Sequence, residues 1–94
     1  MRFEWDEAKN RINLRKHGVR FELAVEVFDD PLARSLQDRD VEGEERWQTI
    51  GMVRGVVLLL VAHTIREEDG GEIVRLISAR RATNYERRWY EEGD

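Results

Sequence analysis

The sequence has no cysteine and a single proline among its 94 residues. Without cysteine, neither a disulfide framework nor a thiolate metal site can form. The longest apolar run, VVLLLVA at 56–62, is far shorter than the roughly 20 residues that a membrane-spanning helix requires. The opening residues, MRFEWDEAKN, lack the apolar stretch of a secretory signal. We therefore expect a cytoplasmic protein that does not engage a membrane.

Several catalytic motifs are missing as well. His17 and His63 are the only histidines, and neither stands at a spacing that gathers further metal ligands. No glycine-rich phosphate loop is present, because the one Gly-Gly pair lies in the acidic segment EEDGGE. Ser35 and Ser78 fall in predicted strands without a nucleophile elbow. The sequence predicts no cofactor and no bound metal.

Charge is abundant but unevenly distributed around a net value of −4. Residues 1–20 hold six basic and three acidic side chains, and residues 80–90 hold four basic and one acidic. Residues 22–45 hold two basic and nine acidic side chains. An acidic total argues against indiscriminate nucleic-acid binding, because electrostatic affinity grows with the number of phosphates neutralised. It is compatible with a local anion site at either basic end.

The hydrophobic pattern predicts the element order β–α–α–β–β–β–β–α within one domain, residues 1–94. Predicted strands cover 2–5, 32–38, 46–53, 56–64 and 73–79, and predicted helices cover 6–18, 21–28 and a C-terminal segment that starts at Thr83. Asp6 and Gly18 are the expected ends of the first helix, and Thr83 with Glu86 has capping-box spacing. Segment 39–45 is a predicted acidic loop, 67–72 a predicted turn, and "RG" at 54–55 a short hairpin connection. Short connections favour an antiparallel meander with packed helices, an α+β fold.

Three apolar helix faces are predicted from residues three and four apart. The first helix has a narrow apolar stripe, Ala8 and Ile12, and should pack lightly and stay largely exposed. The second has a buried stripe of Phe21, Ala24, Val25 and Phe28, and the last has Ala82, Tyr85 and Trp89 on one face.

Five arginines lie in IVRLISARRATNYERRWY, residues 73–90, where a strand passes into a helix. A guanidinium can hold two phosphate oxygens at once, and a helix start favours an anion. Metal-independent RNA cleavage needs such cations together with a proton acceptor and a proton donor. Each candidate also has a structural interpretation: Arg46 in a surface ion pair, His63 in the core, Lys16 and His17 as helix C-terminal charges. The residues alone indicate a small α+β domain with a candidate anion site.

Four blocks of the sequence together resemble the BrnT family of type II toxins. They are FEWDEAKNRINLRKHGVRFELAVEVFDDP, EERWQTIG, HTIRE and RLISARRATNYERRWYE, which span residues 3–91 in the family's order. The resemblance implies a RelE-like fold: an antiparallel sheet of about four strands plus a short N-terminal strand, two N-terminal helices and one C-terminal helix. It also implies a ribonuclease toxin that arrests translation and growth. The implied partner is a BrnA-like ribbon-helix-helix antitoxin in a two-fold hetero-oligomer that binds operator DNA only through the antitoxin.

The resemblance further implies roles for the charged residues. Four arginines are expected at the scissile phosphate and its neighbours: Arg46, Arg66, Arg80 and Arg81. The general base or acid stays open among four residues: His17, Glu45, His63 and Tyr90. Three cations are expected to bind RNA outside the reaction centre: Lys16, Arg87 and Arg88. The alternative function is a non-catalytic subunit of a DNA-binding autoregulatory complex, which, unlike a nuclease, would not be toxic when expressed alone.

Overall fold

The chain forms five strands and three α-helices over residues 1–93, the part described by this computed structural model. The elements are β1 (Arg2–Glu4), α1 (Glu7–His17), α2 (Phe21–Ala24), a 3₁₀ segment (Val25–Asp29), β2 (Arg34–Val41), β3 (Glu44–Val53), β4 (Val57–Glu68), β5 (Gly71–Arg81) and α3 (Asn84–Glu92). The side chain of Val41 is not described, and the predicted domain boundary at Asp94 lies outside the described residues.

The strands form one sheet in the order β1–β5–β4–β3–β2. β1 runs parallel to β5, and every other pair of neighbouring strands is antiparallel. The predicted α+β fold, an antiparallel meander with a short N-terminal strand, is confirmed. No helix within residues 1–93 has the length and apolar character needed to span a membrane.

The two faces of the sheet are covered differently. Residues that pair directly across strands lie on the same face, so the register assigns strand side chains to faces. On the helix-covered face, α2 and the 3₁₀ segment pack over a core that includes Phe21, Val61 and Leu76, with α1 beside β5. On the opposite face, α3 covers one end, where Trp89 and Tyr90 pack against an apolar cluster.

The rest of that opposite face, which we call the open face, is rich in polar side chains. Its residues are Glu4, Leu36, Arg39, Glu44, Arg46, Gln48, Ala62, Thr64, Arg66, Glu68, Ile73, Arg75, Ser78 and Arg80.

Helix ends follow the local sequence signals. The Asp6 carboxylate accepts a hydrogen bond from the Ala8 amide at 2.8 Å, and α1 stops at Gly18 in the left-handed conformation, with φ of 72°. Helix α3 starts with a complete capping box formed by Thr83 and Glu86. These predicted ends are confirmed because each depends on side chains within a few residues of the helix terminus.

Helix α1 is largely exposed, as predicted, and its buried side chains are polar. Ala8 is exposed and Ile12 is 53% exposed, whereas Asn10 and Asn13 are buried. The Asn13 carboxamide accepts from the Ala79 amide and donates to the Ala79 carbonyl. It thus satisfies the backbone amide and carbonyl of Ala79 at the edge of β5, beyond residues 73–75, which pair with β1. A polar contact with strand backbone, rather than an apolar stripe, joins α1 to the sheet.

The predicted second helix, 21–28, changes character half-way. It is α-helical to Ala24 and continues as a 3₁₀ segment, in which residues three apart lie above one another. Ala24 and Val27 are consequently both fully buried, while Val25 and Phe28, predicted to be core residues, are half-buried. Val27 approaches β3 so closely that a Cβ added at Gly51 would lie 2.7 Å from the Val27 carbonyl oxygen.

The loop predicted at 39–45 is wrong except at its centre, because β2 and β3 extend into it, whereas the turn predicted at 67–72 is present at its centre. The central turn residues are Glu42–Gly43, Arg54–Gly55 and Asp69–Gly70, and all six have positive φ. Two adjacent positive φ values give the turn twist that matches paired strands. The connections at 42–43 and 69–70 have two residues each. The hairpin predicted at 54–55 has three, 54–56, because Val53 pairs with Val57.

Candidate functional site

One row of side chains crosses all five strands on the open face. The register pairs Arg39 with Arg46, Arg46 with Thr64, Thr64 with Arg75, and Arg75 with Glu4. We call these five residues the arginine row. Neighbouring strands lie about 4.8 Å apart, so the row places three guanidinium-bearing residues within three strand spacings. An extended polyanion can contact several of them at once.

A bulge in β2 creates the like-charged pair Arg39–Arg46. The register shifts between Gln37 and Arg39, so that Asp38 has no partner in β3 and Arg39 stands opposite Arg46. A regular register would set Asp38 against Arg46, an attractive pair. Like charges directly opposite one another are destabilising, and bulges often re-aim side chains beside functional sites. The bulge therefore builds a site that an anion would stabilise.

Arg46 has a weaker internal partner than Arg75, the arginine of the row that lies near Glu4. The Arg46 side chain is 30% exposed, and its Nε lies 3.8 Å from the nearest Glu44 carboxylate oxygen. That Nε is buried and has no hydrogen-bond partner among the described residues. Because buried polar groups are normally hydrogen-bonded, the Arg46 guanidinium has an unused donor at the centre of the open face.

Arg66 and Arg75, by contrast, are held by Glu4. Arg66 donates to both Glu4 carboxylate oxygens at 2.9 and 3.1 Å, and Arg75 donates to one of them at 3.0 Å. The hydrogen bonds from Arg66 and then Arg75 lower the pKa of Glu4 to about 2, and the pKa of Arg66 is raised in turn. Arg66 also donates to Glu68 at 3.3 Å, so two carboxylates balance the two arginines of this group.

Arg80 is held by Glu86 at the border between the open face and α3. Two parallel hydrogen bonds of 2.8 Å join the guanidinium to the carboxylate. They are the main reason that the pKa of Glu86 falls to about 2. Glu86 also accepts from the Thr83 amide at 2.9 Å, so it caps α3 and orients Arg80 at the same time.

The remaining predicted cations are dispersed. Arg81 pairs with Leu59, so it lies on the helix-covered side of the sheet, where it is exposed. The structure thus brings Arg46, Arg66 and Arg80 to one face and separates Arg81 from them. Arg87 and Arg88 are exposed on α3, with Arg87 4.0 Å from Glu91.

Three of the four predicted proton-transfer residues lie away from the open face or are already engaged. His63 is 1% exposed on the helix-covered face, with Nε2 2.7 Å from Thr49 Oγ1, and burial lowers its pKa, so the ring is neutral. Glu45 pairs with Asp40 on the side opposite Arg46. The Tyr90 hydroxyl donates to Asp30 at 2.6 Å, and this hydrogen bond raises its pKa to about 12.

His17 has a different position, in a cleft at the free edge of β5. The cleft is lined by Lys9, Ile12, Asn13, Lys16, His17, Ile77 and Ser78. Ser78 pairs with Ala62 on the open face, so Lys16 and His17 border that face at its edge. Within the described residues, no three histidine or carboxylate side chains are grouped to hold a metal ion.

A pocket of about 260 Å³ separates the arginine row from α3. It is lined by Leu36, Gln48, Leu60, Tyr85, Glu86 and Trp89. Sequence reasoning missed Arg39, Gln48 and this pocket, because their placement depends on strand register. Tyr85, which the sequence places on one face of the last helix with Ala82 and Trp89, is 75% exposed.

The fold is that of a ribonuclease toxin already known in atomic detail. The 1.1 Å crystal structure of the Brucella abortus ribonuclease toxin BrnT matches with a TM-score of 0.69 and 29% sequence identity, covering 89% of this chain and 99% of that one. Comparison with curated proteins gives no significant match. The family model described as the ribonuclease toxin BrnT of type II toxin–antitoxin systems matches residues 5–86. This chain belongs to the BrnT family, as its sequence motifs predicted.

Proposed function

We propose that this protein is an endoribonuclease that cleaves RNA without a metal ion, using the open face to hold the sugar–phosphate backbone. The observation that carries the proposal is the Arg39–Arg46 pair. Two cations face each other across neighbouring strands, and one of them has an unused buried donor. A phosphate between them would relieve the repulsion and accept the unused hydrogen bond.

The proposed reaction is attack by the ribose 2′-hydroxyl on the adjacent phosphorus. The 2′-oxygen forms a bond to phosphorus as the bond to the 5′-oxygen breaks, which leaves a 2′,3′-cyclic phosphate and a 5′-hydroxyl. A base removes the 2′ proton, an acid protonates the departing 5′-oxygen, and cations stabilise the charge on the phosphoryl oxygens. Arginine is suited to the last role because its fork matches two phosphate oxygens.

Within this scheme, Arg46 contacts the scissile phosphate. Arg66 and Arg80 are cations held in fixed orientations by carboxylates, so they contact flanking phosphates or exchange a carboxylate for phosphate. His17 transfers a proton from the edge of β5, and Lys16 binds backbone beside it. Arg87 and Arg88 extend the RNA-binding surface along α3. Arg81, Glu45, His63 and Tyr90 have no direct part, given the positions of their side chains.

An antitoxin partner follows from the type II family. We propose the finer description that the sequence implies: a BrnA-like ribbon-helix-helix antitoxin forms a two-fold hetero-oligomer with the toxin and supplies all contacts to operator DNA. The free toxin acts in the cytoplasm, where RNA cleavage arrests translation and growth.

The test compares Arg46→Ala, Arg46→Lys and the control Arg54→Ala in cleavage of end-labelled RNA in EDTA. Arg54 is an exposed arginine on the β3–β4 hairpin, and it donates two hydrogen bonds to the Glu26 carboxylate. Removing a donor to a developing oxyanion reduces rates roughly 100- to 1,000-fold, so Arg46→Ala should lose activity in this range. Arg46→Lys should lose less, and Arg54→Ala should cleave like the parent.

A stability measurement separates catalysis from folding. Because Arg46→Ala removes a like-charged neighbour of Arg39, its urea midpoint should equal or exceed that of the parent. A folded, antitoxin-free parent that cleaves neither naked nor ribosome-bound RNA in EDTA would refute the proposal.

A further inference from the structure

We propose that the pocket between α3 and the open face binds one nucleobase of the RNA, stacked on Tyr85 and selected by Gln48. This inference rests on the proposed nuclease function and adds to it the part of the molecule that sets the cleavage-site preference. The pocket has apolar walls contributed by Leu36, Leu60 and Trp89 and polar groups at its border.

Tyr85 has the features of a stacking platform rather than of a core residue. It is the second residue of α3 and is 75% exposed, while Trp89, one turn further on, packs against the sheet. The Arg88 guanidinium lies 6.0 Å from its ring centroid, beside the pocket. Single-stranded bases bind proteins by stacking on exposed aromatic rings, with cations meeting the adjoining backbone. Tyr85 combines both features at the rim of one cavity.

The charge of the pocket favours an uncharged ring over a phosphate. Among its described lining residues, the charged one is Glu86, and Arg80 neutralises that carboxylate through two hydrogen bonds. A phosphate would meet a carboxylate here, whereas the unused cationic donor lies on Arg46. The pocket thus binds the base of a nucleotide, and the arginine row binds its phosphate.

Gln48 supplies the polar group that can distinguish bases. A carboxamide both donates and accepts hydrogen bonds, as the edges of nucleobases do. Its Nε2 makes one long hydrogen bond, 3.3 Å to Asp38, which a base could replace. Asp38, the bulge residue of β2 that sets Arg39 opposite Arg46, is therefore also the hydrogen-bond partner of Gln48.

Spacing links the pocket to the reaction centre. Gln48 and Arg46 are two residues apart on the same face of β3, a separation of about 6.8 Å. A nucleotide whose base enters the pocket therefore presents its own backbone to the arginine row. At about 260 Å³, the cavity is also smaller than the roughly 300–1,000 Å³ of pockets that enclose whole small molecules, as expected for one ring system.

The experiment uses the full chain and an RNA oligonucleotide whose cleavage site carries a 2′-deoxy sugar, so that binding is measured without cleavage. Tyr85→Phe should bind it like the parent, and Tyr85→Leu, which keeps apolar bulk without an aromatic face, should bind about tenfold more weakly. Gln48→Leu should change which base is preferred at one position beside the cut, read by mapping RNA ends. Val56→Ala, at an 81% exposed position on the β3–β4 hairpin, is the control.

The remaining outcomes separate failure of the base site from failure of the nuclease proposal. Equal binding by Tyr85→Leu and the parent removes the stacking site. Unchanged RNA binding with weakened antitoxin binding in Tyr85→Leu would identify the pocket as a protein-docking surface instead. A parent that binds the oligonucleotide but does not cleave unmodified RNA would overturn the nuclease proposal alone, since binding by Tyr85→Phe and Tyr85→Leu would still test the base site. A parent that neither binds nor cleaves would overturn both.

Discussion

Replacing Asn13 by alanine tests how α1 is joined to the sheet. The side chain is 5% exposed and takes part in three hydrogen bonds. Its Nδ2 donates to the Val19 and Ala79 carbonyls at 3.0 and 2.8 Å, and its Oδ1 accepts from the Ala79 amide at 3.0 Å. A typical hydrogen bond contributes about 1 kcal/mol, and each buried group left unsatisfied costs about 1–3 kcal/mol. We therefore expect Asn13→Ala to lower the free energy of unfolding by about 3–5 kcal/mol.

This loss is large for a domain of this size. Small proteins are stable by about 5–15 kcal/mol, and each kcal/mol corresponds to roughly 4–8 °C in the melting temperature of a domain of 60–100 residues. The melting temperature measured by circular dichroism should accordingly fall by at least about 12 °C. Hydrogen exchange at the Ala79 amide should accelerate more than exchange in the centre of β4, because only the β5 edge loses its partner.

The matched control is Asn84→Ala, the same substitution at an exposed position in the first turn of α3. Its effect should stay within about 0.5 kcal/mol. If Asn13→Ala costs less than about 1 kcal/mol, or if the Ala79 amide remains protected, the bonds from Asn13 do not hold α1 to β5.

Two further predictions concern Glu86 and Gly51. The pKa of Glu86 in the folded protein is depressed to about 2, so its contribution to stability is present above the unfolded-state pKa and is lost as pH falls toward 2. Glu86→Gln should therefore lower the free energy of unfolding by about 1 kcal/mol at pH 7 and by progressively less in urea titrations at pH 5, 4 and 3. A pH-independent cost would contradict the ion-pair explanation. Gly51→Ala should lower the free energy of unfolding by about 1–3 kcal/mol, measured by urea denaturation, because the added Cβ overpacks against the Val27 backbone. The control is Gly71→Ala, where the atom nearest to an added Cβ is 4.0 Å away. Equal stability of the two variants would show that the 3₁₀ segment can move away from β3.

Features with a local cause were predictable from the sequence. Asp6 and Gly18 bound α1, and Thr83 with Glu86 caps α3, because each signal acts on backbone groups within one helical turn. The buried strand at 57–62 was recognisable from its unbroken apolar run. The family was also recognisable, since its motifs extend over nearly the whole chain.

Predictions failed where tertiary contacts outweighed local preference. The sequence did not predict that Asn13 joins α1 to the sheet; the exposed backbone edge of β5 requires hydrogen bonds, which asparagine supplies and isoleucine cannot. The second helix tightens to a 3₁₀ segment as Val27 packs over Gly51. Three of the acidic residues in the loop predicted at 39–45, Asp40, Glu44 and Glu45, are paired strand residues, whose register a single sequence does not reveal.

The same division holds for the candidate site. The sequence alone determined which residue types are available: many arginines, two histidines, and no cysteine. Only the tertiary structure decided that Arg46 and Arg39 oppose one another, that Arg81 lies on the other side from Arg80, and that His63 is buried beneath the helices. The physical reason is that side chains alternate between the faces of a strand, so one bulged residue reverses the face of every residue beyond it. The composition thus determined that cations are available, and the strand register determined which of them lie together in the candidate site.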